Sequence, residues 1–343
     1  GESRAYVAVS RSLIACLPAA LLPPAQTTLL IGPGLNLEEA YLQRLEALAG
    51  AGYTLALDGP QAIGAWVGRL APVVQVYRLP LHRQDPMRLM DMLGKLRLTR
   101  AKMVATWIET PEEAGYAQRL GFDFFQGSYY TQPRPTPGRR VDTSRMAVMR
   151  TLAAIQDPGA DFRSLARMIA QDALLSTKLL TMVNSPTFGL PRAIDSLEQA
   201  VAYAGLNALR SWMSLLTLAS IPGKPPELTQ LAILRAKMNE TIATSLGLRP
   251  FDQHFSVGLF SVLDALLDLP IAQAIQNIPL AKETVDALVA RQGAAGQVLQ
   301  ATLLWERGDW DLLLQSTLSP HSLLTAYVAA VQAALDFSQS LKP

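Results

Sequence analysis

Thiol and imidazole are scarce in this chain: one cysteine, Cys16, and three histidines, His82, His254 and His321, among 343 residues. A single thiol excludes an internal disulfide framework and a cysteine-based zinc site, and it fits a reducing compartment, so a cytoplasmic location is expected. An excess of either charge is missing too. Thirty Lys and Arg stand against 28 Asp and Glu, a formal net charge of +2, which gives no electrostatic ground for a polyanion partner. The basic clusters are "KLRLTRAK" (95–102) and Arg139-Arg140; runs this short are ordinarily solvated faces, so nucleic acid is not an expected partner. The most apolar stretches, "SLIACLPAALLPPA" and "WMSLLTLASIPG", are broken by prolines or polar residues, and no membrane span or anchor is expected. What is present is a half-hydrophobic composition with 17% charged residues, ample core for two domains. The opening Gly1-Glu2-Ser3, with no Met, reads as a trimmed end with upstream sequence missing.

The first part reads as α/β. Apolar runs recur at "TTLLI" (27–31), "YTLAL" (53–57), "VVQVY" (73–77), "KMVAT" (102–106) and "FDFF" (122–125), separated by helical segments. Asn36 with Glu39, and Thr110-Pro111 with Glu113, have capping-box spacing. Alternation of near-continuous apolar strands with helices predicts a parallel sheet with helices packed outside it, incomplete as a barrel because the pattern ends near Pro137. In such folds chemistry sits at the carboxyl ends of strands, here Ile31-Gly32, Asp58, Gln75 to Tyr77, Thr106 to Glu109, and Gln126. Asp58 and Glu109 are the only carboxylates in that set, few for a divalent cation. Each also has a structural reading, as a cap for the next helix or a carboxylate beside a helix N-terminus.

"TQPRPTPGRR" (131–140) reads as a linker, which divides the chain into domains 1–137 and 138–343. Beyond it helix follows helix. Asp161 caps a segment with an apolar stripe at Leu165, Met168, Ile169, Leu175, Leu179 and Val183; Asp195 with Glu198 caps the next, and Leu209, Trp212, Met213 and Leu216 share one face after it. Trp310, after the Gly308 turn, is expected to be half buried. "GLFSVLDALLDLP" (258–270) reads as one helix with Asp264 and Asp268 one turn apart on one face. A metal cluster of Asp252, His254, Asp264 and Asp268 is conceivable there, with His254 and Asp264 its main candidates, but the two helical aspartates are expected on a solvated face.

"YTLALDGP" and "VATWIETPEEAGYAQRLGFDFFQGSYYTQP", in this order, resemble the second half of EAL domains, the barrels that hydrolyse cyclic di-GMP with divalent metal. "LALDGP" keeps Asp58 of that family's "LALDDFG" and has Gly59 for its second acid. Gln75 stands where a lysine is expected, Thr106 replaces the first Glu of "AEGVET", Glu109 matches the second, and Gln126-Gly127 match "QGY". The asparagine of "NVS" falls at Ala8, and the Glu-Ala-Leu segment is absent. "LARMIAQDALLSTKLLTMVNSPTFGLPRAIDSLEQAVAYAGLNALRSWMSLL" (165–216) resembles the HDOD domain, a helical relative of the HD phosphohydrolases. Against the "GLLHDIG" helix of metal-dependent HD enzymes, "GLFSVLD" places Ser261 and Val262 where the His-Asp pair would be.

The fold these resemblances imply is an incomplete TIM-barrel-like EAL remnant followed by an α-helical HDOD domain, as in bacterial two-part EAL/HDOD signalling proteins. The function they imply is a non-enzymatic scaffold for other signalling proteins, in cyclic di-GMP-linked regulation of motility or biofilm. No phosphodiesterase activity, no catalytic residue and no cofactor are expected. The alternative is a sensor that binds cyclic di-GMP weakly at Asp58, Glu109 and Gln126 without cleaving it, and residual metal-dependent phosphohydrolase activity ranks last.

Overall fold

The computed structural model describes residues 4–17, 22–32, 38–59, 68–81, 85–133, 143–170, 173–184, 194–315 and 318–340. The chain divides into two compact units, Gly1–Tyr130 and Thr131–Pro343.

The first unit holds strands β1 (Ala5–Val9), β2 (Thr27–Ile31), β3 (Thr54–Asp58), β4 (Val76–Pro80), β5 (Lys102–Thr106) and β6 (Phe124–Phe125). Every neighbouring pair is parallel and the spatial order is the sequence order, β1 to β6. Parallel neighbours need a crossover each, and same-handed crossovers between sequential strands put their helices on one face. Helices α1 (Arg11–Cys16), α2 (Glu39–Gly50), α3 (Pro86–Arg97) and α4 (Pro111–Arg119) follow that rule. Leu45 and Leu48 of α2, Leu89, Leu93 and Leu96 of α3, and Ala117 of α4 join Leu29, Ile31, Leu55, Leu57, Tyr77, Leu79, Met103 and Ala105 of the sheet in one core. The alternate strand positions Leu30, Ala56, Val76 and Val104 form a thin apolar row on the opposite face. The expected parallel sheet is present. Thr110 makes the expected capping box with Glu113, a feature contributing about 1 kcal/mol to the helix it starts. Asn36 and most of the linker lie outside the described residues.

The second unit is helical. Its hub is the 21-residue helix Pro226–Leu246, buried around much of its circumference by Leu228, Ala232, Ile233, Ala236, Met238, Ile242 and Ala243. A helix enclosed this way can carry polar groups inward only if they are partnered. Arg235 meets Glu306, and Asn239 Oδ1 accepts a hydrogen bond from Thr302 Oγ1 at 2.7 Å, although Asn239 Nδ2 has no hydrogen-bond partner among the described residues. Leu165, Ile169, Leu179 and Val183 of the predicted stripe are fully buried, as are Leu209 and Met213, with Trp212 and Leu216 nearly so. Trp310 is half exposed, packed edge-on against Trp305. One cap shifts: Ser196, not Asp195, precedes helix Leu197–Ala204, accepting from Gln199 N while Gln199 Oε1 accepts from Asp195 N. The capping hydroxyl lies one residue later than expected, and it meets Gln199 instead of Glu198. Among the described residues no helix is long and apolar enough to cross a membrane.

Candidate functional site

The carboxyl edge of the sheet brings three side chains together. Asp58 ends β3 and pairs in register with Arg78 of β4. Both point away from the α2–α4 core, on the face of Ala56, Val76 and Val104, because strand side chains alternate. Arg78 Nη1 lies 3.0 Å from Asp58 Oδ2, and its Nη2 donates to Gln126 Oε1. Arg78 is 8% exposed. A guanidinium this buried needs acceptors, and Asp58 and Gln126 supply them.

Gln126 is fixed by its backbone: its N–H donates to Ala105 O at 2.8 Å and its carbonyl accepts from Ile108 N at 3.1 Å. A Cβ on the following Gly127 would fall 2.0 Å from Ile108 O, so the turn closes only around glycine. Gly59, beside Asp58, has φ of 96° and donates its N–H to Arg78 O. That backbone favours glycine at the position where the EAL pattern has a second aspartate. Between Thr106 and Ile108, Trp107 adopts φ of 61° with its side chain 65% exposed. For a bulky L-residue that conformation costs about 1–2 kcal/mol.

Asp58 and Gln126 thus meet through Arg78. Glu109 does not join them in any hydrogen bond or ion pair described; it is exposed, and its backbone N–H donates to Glu113 Oε2 at 2.8 Å in the α4 cap. Gln75 lies at the wrong edge. The strand read as 73–77 runs Val76–Pro80, so Gln75 precedes it and its Oε1 accepts from Leu55 N at 2.7 Å. Arg78 escaped the sequence reading, although a lone arginine inside the apolar run "VYRLP" was a signal that a buried cation needed partners.

The 258–270 stretch is not one helix. Helix Phe251–Phe260 ends at Ser261, helix Leu263–Leu267 follows, and Asp268 closes it with φ of 55°. Its carboxylate pairs with Arg145 at 2.9 Å and Lys224 at 2.7 Å, with a side-chain exposure of 12%. Asp264 Oδ1 accepts from Ala265 N at 2.8 Å; burial pushes the carboxyl up from the usual aspartate range, partly offset by that amide and by Arg235 and Arg291. The expected solvated face is therefore wrong, because the break at Ser261 turns both aspartates inward to different surroundings. His254 is buried, burial pulls its imidazole down despite Asp252, and its Nδ1 has no hydrogen-bond partner among the described residues. Ser261, aligned by resemblance with the HD histidine, meets a guanidinium: Arg235 Nη1 donates to Ser261 Oγ at 3.2 Å and its backbone O at 3.3 Å. The same arginine holds Glu306 through Nε at 2.9 Å and Nη2 at 2.8 Å.

A divalent cation takes several oxygen ligands, mostly carboxylate. Among the described residues no group of three or more His, Cys, Asp or Glu converges, and at the sheet edge Asp58 is already paired with Arg78. These residues do not fit a metal centre of that kind, and His82 lies outside the described residues.

The HDOD domain model matches residues 143–292. The cyclic di-GMP phosphodiesterase CdgJ of Vibrio cholerae serotype O1 (strain ATCC 39315 / El Tor Inaba N16961) is 32% identical over 305 residues, which is 88% of this chain and 70% of CdgJ. The uncharacterized protein YuxH of Bacillus subtilis (strain 168) is 25% identical over 90% of this chain and 77% of its own length. A putative phosphohydrolase structure from Shewanella amazonensis SB2B aligns at a TM-score of 0.39 and 12% identity, over 59% of this chain and 94% of that one. The HDOD match lies wholly within the second unit, and for the first unit what stands is a six-stranded parallel sheet in place of the expected EAL barrel remnant. The non-enzymatic scaffold expected from the sequence does not stand: a relative along most of the chain is a phosphodiesterase, and HDOD domains are kin to HD hydrolases. The chain contains an HDOD domain and belongs to the family of the cyclic di-GMP phosphodiesterase CdgJ.

Proposed function

We propose that this protein is an enzyme of the phosphodiesterase class acting on cyclic di-GMP at the carboxyl edge of its parallel sheet. The observation that carries this reading is the relationship to CdgJ, which spans 88% of the chain and so includes the sheet unit as well as the HDOD domain. The likeness of "LALDGP" and "ATWIET" to EAL strands, and the sequential parallel order β1 to β6, support reading the sheet as EAL-derived.

Arg78 binds a phosphodiester oxygen with donors it otherwise gives Asp58, since a guanidinium fork suits phosphate as well as carboxylate. Gln126 holds the other side of the guanidinium in place. Asp58, released from the ion pair, accepts a proton from the attacking water. The water oxygen bonds to phosphorus, one P–O ester bond breaks, its oxygen takes a proton from solvent, and the ring opens to a linear dinucleotide.

The test is incubation of the purified chain with cyclic di-GMP under magnesium, manganese and chelator, with products separated by chromatography. A linear dinucleotide is expected, and Asp58→Asn should slow its formation about 10²–10⁴-fold, the usual weight of a general base. Absence of product in every condition, or an unchanged rate in the variant, overturns the proposal.

A further inference from the structure

We infer that Trp107 is a stacking platform for a purine base of the nucleotide bound at the sheet edge, an inference that rests on the cyclic dinucleotide reading of that edge. Trp107 follows Thr106, the last residue of β5, and precedes Ile108, whose N–H is bonded to Gln126 O. It is therefore one peptide away from the strand end and one from the segment that positions the partner of Arg78. Its side chain is 65% exposed, so the indole gains little from burial in this chain. Its backbone is left-handed at φ of 61°, a conformation that favours glycine. The aligned position of the EAL pattern "AEGVET" is that glycine. A large aromatic held in an unfavourable backbone and displayed to solvent, one residue beyond the strand end and next to Ile108, which is bonded to Gln126, is placed to contribute to ligand binding.

The surroundings make the conformation rigid. Ile108 is fully buried, its carbonyl accepts from Tyr129 N at 3.1 Å, and the missing Cβ of Gly127 lets that carbonyl approach. Flanked by a buried residue and a strand end, the Trp107 backbone has no freedom to relax. An indole offers a flat π face that accepts any base, and its edge position leaves the phosphodiester free for Arg78.

Calorimetric titration of the full chain with cyclic di-GMP and with guanosine monophosphate, for wild type, Trp107→Gly and Trp107→Phe, tests this. Loss of one stacked base is expected to weaken binding by Trp107→Gly about 5- to 150-fold, with Trp107→Phe retaining most of the affinity. The same Trp107→Gly change should raise the melting temperature, because glycine relieves the left-handed backbone, so weaker binding cannot be ascribed to unfolding. Equal affinity of wild type and Trp107→Gly overturns the platform and leaves the phosphodiesterase reading intact. Binding that depends on Trp107 with no cleavage by wild type overturns the hydrolytic reading and keeps the platform. No binding of either nucleotide by wild type overturns both.

Discussion

Replacing Arg235 with alanine should be among the most damaging single changes in the helical unit. The guanidinium is buried and the Glu306 side chain is 18% exposed, so little water reaches either group. The variant removes the donors at 2.8 and 2.9 Å from Glu306 and those to Ser261, and it leaves a nearly enclosed carboxylate with its charge uncompensated. Breaking a buried pair from one side costs about 3–5 kcal/mol. For a unit of about 200 residues this corresponds to a drop of about 6–20 °C in its melting temperature. Calorimetry of the full chain, following the transition of the helical unit, reads it. Arg235→Met combined with Glu306→Leu should recover most of the loss, because two apolar side chains of similar volume leave no orphaned charge. A loss below about 2 °C in the single variant, or a double variant no more stable than the single, refutes the reasoning.

Asp264 should make stability fall as pH rises through its native ionisation. Its folded carboxyl is pushed up by burial, so the folded state holds the proton more tightly than the unfolded one; the stability this contributes is complete below the ordinary aspartate range and is lost as pH passes its raised native value. Asp264→Asn should flatten that part of a denaturation-versus-pH profile and leave stability at neutral pH equal or higher, and an unaltered profile refutes it. Gly127→Ala places a carbon against Ile108 O and should cost about 1–3 kcal/mol in urea unfolding, with cyclic di-GMP turnover falling alongside as Gln126 is displaced; wild-type stability in that variant contradicts the close approach.

The strands that were easiest to read are those whose apolar run is bounded by polar residues on both sides: "TTLLI" and "KMVAT" form β2 and β5 at the expected residues. "VVQVY" misled because its apolar residues continue through Leu79 and Pro80, with Arg78 breaking the run in the middle. Moving the strand by three residues carried Gln75 from the carboxyl edge to the opposite one, and the same shift hid Arg78. Asp58 and Gln126 were visible as polar residues at strand ends, but what joins them is a cross-strand ion pair, which depends on register and not on spacing along the chain. In the helical unit, 3.6-residue periodicity located the buried stripes. It failed at 258–270, where leucines continue at helical spacing across a break: the Ser261 hydroxyl bonds back to Gly258 O, and Arg235 donates to the Ser261 carbonyl and hydroxyl, a tertiary contact that periodicity cannot register.

Arg235 is a cation tethered by peptide bonds, and that fixes its supply. Its concentration beside Glu306 and Ser261 does not depend on the ions in the surrounding solution, and a chelator cannot extract it. The positive charge facing Glu306 is accordingly in place as soon as the helical unit has folded.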